Sequence, residues 1–161
     1  MISPEYAAGF FDGEGSVYAN SRCGGRQPTM LVCISNTHKE ILIAHQEQWG
    51  GSISGKRIKN ERTRPCWQWV LAPKNGARFL REIYPHVIIK KEVVGLALEW
   101  VALMERPTEE KVRYERVTRE NGSIGTRPQI LASHREAVDG LIGKMRQVNA
   151  RGFNALRATN A

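Results

Sequence analysis

The chain has 161 residues, 41% of them hydrophobic, and a formal net charge of +8, the size and make-up of one domain with its own core. Cys23, Cys33 and Cys66 form an odd set without a C-x-x-C pair, which excludes a disulfide framework and points to a reducing, intracellular setting. No apolar run reaches the ~18 residues of a membrane span, and no signal-type segment follows Met1. The charge is concentrated: between Gly15 and Lys74 the basic residues Arg22, Arg26, Lys39, Lys56, Arg57, Lys59, Arg62, Arg64 and Lys74 face only Glu40, Glu47 and Glu61. That pattern suits a polyanionic partner such as nucleic acid.

Ser3-Pro4 is a helix-start pair and predicts a short helix from Pro4 to about Asp12. Ser16 to Arg22 alternates as a strand, CGGRQP reads as a turn, and Thr29 to Ser35 reads as the returning strand of a hairpin. Asn36-Thr37 starts a helix running to Trp49, ended by Gly50-Gly51. A second hairpin, Ser52 to Lys59 and Pro65 to Leu71, turns through NERTR. Helices come next at Pro73 to Ile83 and Lys90 to Glu105, the latter with Val93, Val94, Ala97, Trp100, Val101 and Met104 as its buried stripe. The charged stretch RPTEEKVRYERVTRENGSIGTRP reads as a partly ordered arm or long loop. Ser133 and Glu136 form a capping box that opens a last helix to about Asn149, and RGFNALRATNA reads as a loose tail.

The expected class is α+β: an αββαββα core over residues 1–105, with helices on one face of a four-stranded antiparallel sheet. Residues 106–161 form a charged loop and a C-terminal helical extension of the same domain. Trp67 and Trp69 should turn to the core and Gln68 away from it, although a one-residue slip would reverse this.

The segment AAGFFDGEGS, Ala7 to Ser16, carries the chemistry. Gly9 and Gly13 lie four residues apart on one helical face, with Ala8 and Asp12 on the adjacent one. Small residues at that spacing let two helix backbones approach closely. A single copy of such a face suggests an identical partner about a two-fold axis. The Asp12-Gly13-Glu14 tips would then converge, and oxygen-rich acidic clusters of that kind suit Mg²⁺.

The same segment resembles the signature of the LAGLIDADG homing endonucleases, aligned over Ala7 to Gly15. CISNTHKEIL with WGGSIS, and FLREIYPHVIIKKEVVGLALEW, resemble later segments of that family in the same order, so about 95 residues are covered. The resemblance implies a homodimer that cuts both strands of a long, near-palindromic DNA site in intron homing. Glu14 would ligate Mg²⁺ or Mn²⁺ with help from the Gly13 carbonyl, and Asp12 would be chiefly structural. Lys90 would sit near the scissile phosphate, with Lys91 as the neighbouring alternative. Asn36 falls where the family often places Gln or Asn around the reaction, and Lys39 competes with Glu40 for a further basic position. The setting it implies is an organelle or a prokaryotic cytoplasm.

The open sheet face should enter the major groove of double-stranded DNA, a dimer covering about two helical turns. Tyr18, Asn20, Arg22, Thr29, Ser35 and Gln68 would face the bases, with Arg26 in the first turn and Lys56, Arg57, Lys59, Arg62 and Arg64 on or near the second hairpin. Ala8, Gly9, Asp12 and Gly13 would form the dimer contact. Two other readings use the same surface: an RNA-binding maturase serving a host intron, and a DNA-binding regulator that does not cut. His38, His45, His86 and His134 show no metal-site spacing.

Overall fold

The computed structural model describes residues 1–20, 28–55, 65–118 and 122–158, with the side chains of the last helix described as far as Arg151. Ser3 opens α1 (Pro4–Glu14) by accepting the Tyr6 N–H at 3.3 Å, and Pro4 brings a preset φ to the first helical position. The helix runs directly into β1 (Gly15–Asn20), which pairs with β2 (Thr29–Asn36). After α2 (Lys39–Trp49), β3 (Ser52–Gly55) pairs with β4 (Trp67–Leu71), and β4 also pairs with β2. The result is one antiparallel sheet in the order β1-β2-β4-β3. Helices α3 (Pro73–Ile83) and α4 (Lys91–Glu105) complete the expected αββαββα order.

The tight link from α2 to β3 requires glycine. Gly50 and Gly51 have φ of 74° and 91°, and a Cβ on Gly51 would lie 2.6 Å from the Val70 carbonyl oxygen. Register sorts the sheet into two faces. Val17, Val32 and Leu71 form one cross-strand row, and Ile34, Trp69 and Ile53 the next, both turned toward the helices. Ser35, Gln68 and Ser54 form a row on the opposite face. The fourth strand therefore has the expected register, with Trp69 fully buried.

Aromatic rings fill the space between sheet and helices. Phe79 meets Phe11, Trp49 and Trp69 edge-on at 5.7, 5.1 and 5.3 Å between centroids. The Trp49 indole donates to Glu82 and the Trp69 indole to the Gly50 carbonyl, so both polar tips are satisfied.

His45 is fully buried among Phe10, Trp49 and Trp69. Its Nδ1 lies 2.7 Å from the Ile41 carbonyl and so carries the hydrogen, while Nε2 has no partner among the described residues. Burial holds its pKa below the usual histidine value, outweighing the Ile41 hydrogen bond. A histidine depressed in this way stabilises the fold fully above its unfolded pKa of about 6.5, and that contribution falls as pH drops toward the folded value. The melting temperature should accordingly decline on acidification below about pH 6.5, and His45→Leu should flatten that decline; an unchanged profile would remove His45 as its cause.

Several elements differ from the sequence reading. Asn36 ends β2 instead of starting α2: its Oδ1 accepts the His38 N–H at 2.9 Å, and the helix begins at Lys39. Lys90 caps α4 from outside, and Met104 is only half-buried. The stretch expected as a loop holds one helical turn, α5 (Thr108–Lys111), and a hairpin of β5 (Val112–Thr118) and β6 (Ile124–Ile130). Helix α6 (Ala132–Ala158) begins before Ser133, so that serine is not its cap, and it extends into the expected tail as far as Ala158. α6 packs on α4 through Val138, Leu141, Ile142 and Met145, and the Asn149 amide donates to the Val17 carbonyl at 3.0 Å.

Candidate functional site

The C-terminus of α1 meets the N-terminus of α4, and each supplies what the other lacks. A helix starts with unpaired N–H groups and a positive dipole end, and finishes with unpaired carbonyls and a negative one. The Asp12 carboxylate accepts the backbone N–H groups of Ile88, Ile89 and Lys90 at 2.8, 3.2 and 2.9 Å. In return the Lys90 ammonium donates to the Phe11 carbonyl at 3.0 Å and to the Asp12 carbonyl. A lysine at a helix start is electrostatically disfavoured, and the structure resolves that conflict by turning its side chain back to the negative end of α1.

Both groups titrate away from their ordinary values. Partial burial pushes the Asp12 carboxyl up, but the N–H donors of Ile88, Lys90 and Ile89 and the Lys90 charge outweigh it, and the net shift is downward. Burial lowers the Lys90 pKa, against the opposing pull of Asp12 and Glu14. An ammonium has three N–H donors, and two are committed to α1 carbonyls.

Glu14 is exposed at the tip of α1, and Gly13 beside it is exposed as well. Asn36 lies beyond the Gly15–Ile34 pairing, at the same end of the sheet. Lys39 reaches this end too, its ammonium 4.4 Å from the centroid of the half-buried Trp67, which pairs with Asn36. Lys91 turns away to the Tyr84 carbonyl and ring. Gly15 admits the close approach of the Phe11 ring, which a Cβ would meet at 2.1 Å.

The small-residue face is narrower than the sequence suggests. Ala8 is 0% exposed, packed in the subunit core with Ala7 and Phe11, so it offers no surface to another chain. The Asp12 carboxylate is engaged within the subunit. Gly9 and Gly13 remain open, and a Cβ on either would meet nothing within 4 Å. Tyr6 continues their line at helical spacing and is exposed. Sequence reasoning missed Ile88 and Ile89, which are 83% and 78% exposed although their N–H groups are pinned to Asp12. Two consecutive isoleucines before a lysine pair were the available signal.

On the open face of the sheet, Tyr18 and Asn20 are exposed and Thr29, Ser35 and Gln68 half-exposed. Ser16, Leu31, Cys33, Val70 and Ser52 share this face by register and were not anticipated. Arg22, Arg26, Lys56, Arg57, Lys59, Arg62 and Arg64 lie outside the described residues. No cluster of three His, Cys, Asp or Glu is placed to hold a metal among the described residues.

No protein-family model matches the chain, and no curated protein matches it in sequence. Solved structures do match. The archaeal intron-encoded homing endonuclease I-Vdi141I, complexed with DNA, is 15% identical with a TM-score of 0.64 over 90% of this chain and 82% of that one. I-CvuI, a homing endonuclease in complex with its target in the presence of calcium, is 16% identical with a TM-score of 0.62 over 90% and 80%. The LAGLIDADG homing endonuclease I-GzeII, in complex with a DNA target, is 17% identical with a TM-score of 0.52 over 65% of this chain and 36% of that one. The chain thus has the fold of the LAGLIDADG homing endonucleases.

Proposed function

We propose that this protein is a sequence-specific double-strand DNA endonuclease, dependent on a divalent metal and active as a homodimer joined through α1. The observation that carries the reading is the open line of Gly9 and Gly13 leading to an exposed Glu14 beside Lys90. Each glycine costs a lone helix about 0.5–1 kcal/mol relative to alanine. No described residue of the subunit fills that space, and a second backbone would fit it. Tyr6, Ile88 and Ile89 supply apolar surface around the contact.

Glu14 offers an exposed carboxylate at the negative end of a helix, and Gly13 adds a carbonyl. This hard, oxygen-only donor set fits Mg²⁺ or Mn²⁺, which is held by one or two carboxylates together with phosphate oxygens and waters. Bound there, the ion would neutralise charge on the scissile phosphate and promote attack by water. Lys90 contributes its third N–H donor and its charge at the same phosphate. Asp12 acts as a positioning residue by holding the backbone of Lys90. Asn36, at the adjacent strand end, orients water or a phosphate oxygen. The open sheet face, led by Tyr18, Asn20, Thr29, Ser35 and Gln68, reads the duplex in the major groove.

The experiment compares wild type with a Gly9→Leu/Gly13→Leu variant by sedimentation and by Mg²⁺-dependent cleavage of a library of DNA sites. The subunit should stay folded, since the added side chains meet open space, while dimer and cleavage both fall by at least roughly tenfold. Full cleavage by this variant would contradict the dimer.

A further inference from the structure

The hairpin of β5 and β6 has no role in the site described above and contributes little to the core. Its central residues are exposed on both faces, including Tyr114 at 61%, and Ile124 near the turn is 75% exposed. A two-stranded ribbon without a buried face is marginal in water. It is fastened at its base, where Leu131 donates to the Lys111 carbonyl at 2.9 Å and the Lys111 ammonium to the Met104 carbonyl at 2.9 Å. Arg113 stands opposite Gln129 and Glu115 opposite Arg127 on one face; Tyr114 opposite Pro128 and Arg116 opposite Thr126 on the other. Arg113, Arg116 and Arg127 make no ion pair among the described residues, and Glu115 is the only acid in the two strands.

We propose that this ribbon is a second DNA-binding element, laid on the duplex away from the cleavage site; the inference rests on the endonuclease reading. Three arginines without an ion pair among the described residues, and a tyrosine, on a projecting ribbon complement phosphates and base edges. B-DNA has a major groove about 12 Å wide that admits a two-stranded ribbon, whereas the deep, narrow major groove of A-form RNA does not. The seven-residue strands span about 24 Å. The base of the ribbon lies at the far end of α4, about 20 Å along the helix from Lys90, so its contacts add to those of the sheet.

The test measures binding of the full chain to a random-sequence duplex of about 40 base pairs across a salt series. Two neutralised variants are compared: Arg113→Gln/Arg116→Gln/Arg127→Gln, and a control with the same loss of charge on α6, Arg135→Gln/Lys144→Gln/Arg146→Gln. Each phosphate contact contributes about 0.9 to the slope of log affinity against log salt. The ribbon variant should lower that slope by about 2–3 per chain and weaken binding at least tenfold near 0.1 M salt, with an unchanged melting temperature. The α6 control should do neither. Equal slopes for wild type and the ribbon variant would overturn the ribbon proposal alone, as would equal losses in the two variants. Preference for a stem-loop RNA over the duplex, lost in the ribbon variant, would also overturn it. A wild-type chain that fails to bind the duplex at all would overturn the endonuclease reading as well.

Discussion

Replacing Glu14 by Gln is expected to reduce Mg²⁺-dependent cleavage by roughly a thousandfold, equivalent to about 4 kcal/mol of barrier, while the protein still binds DNA and melts at the wild-type temperature. The substitution keeps the size of the side chain and removes its charge. Glu14 is exposed and has no ion pair among the described residues, so little folding energy depends on it. Activity and stability therefore separate at this position. Cleavage at the wild-type rate would remove Glu14 from the proposed metal site, and with it the proposed reason for two α1 tips to meet. Gel separation of cut duplex, beside a binding titration in calcium, reads both quantities.

Asp12, two residues earlier, should behave in the opposite way. Its carboxylate satisfies three backbone N–H groups at the start of α4, and Asp12→Ala leaves all three without that partner. The loss is expected to be about 2–3 kcal/mol, a fall of roughly 5–10 °C in melting temperature for a chain of this size. Because the folded pKa of Asp12 is lowered, its contribution is present above about pH 4 and is lost as pH falls further, through the folded value. The difference in stability between wild type and Asp12→Ala should therefore shrink in acid. Asp12→Asn retains an acceptor but not the charge and should fall between the two. A variant as stable as wild type at pH 7 would show that Asp12 does not hold the junction. Cleavage should decline with stability here, since the Lys90 backbone is one of the three groups released.

The two helices that flank the junction were legible because the chain marks them locally: Ser3-Pro4 starts α1, which runs two residues past its expected end at Asp12, and the stripe of Val93, Val94 and Ala97 sets the helix that begins after Lys90, whereas Glu14 and Lys90 themselves were singled out by the family resemblance. The open sheet face was legible because alternation distinguishes Trp69 from Gln68 when one face is buried. The same rule fails for β5 and β6. With both faces exposed there is no apolar alternation to read, and only the Asn121-Gly122 dipeptide signals a hairpin. Ala8 was misplaced for a different reason. An alanine carries no mark of whether it packs against its own core or another chain, and only the position of Phe11 and the sheet decides it. The exchange between Asp12 and Lys90 was equally hidden, because it joins residues 78 positions apart.

If two copies of α1 meet along Gly9 and Gly13 and so bring both Glu14 tips to one duplex, single cysteines at positions 9 and 13, with the native cysteines replaced by serine, will be close enough to cross-link. A disulfide forms only when the two Cα atoms lie within about 4.4–6.8 Å. At least one of the two positions should give a covalent dimer under mild oxidation, and that dimer should cut DNA in Mg²⁺. A chain that forms no covalent dimer at either position, yet cuts both strands as fully as wild type, would contradict it.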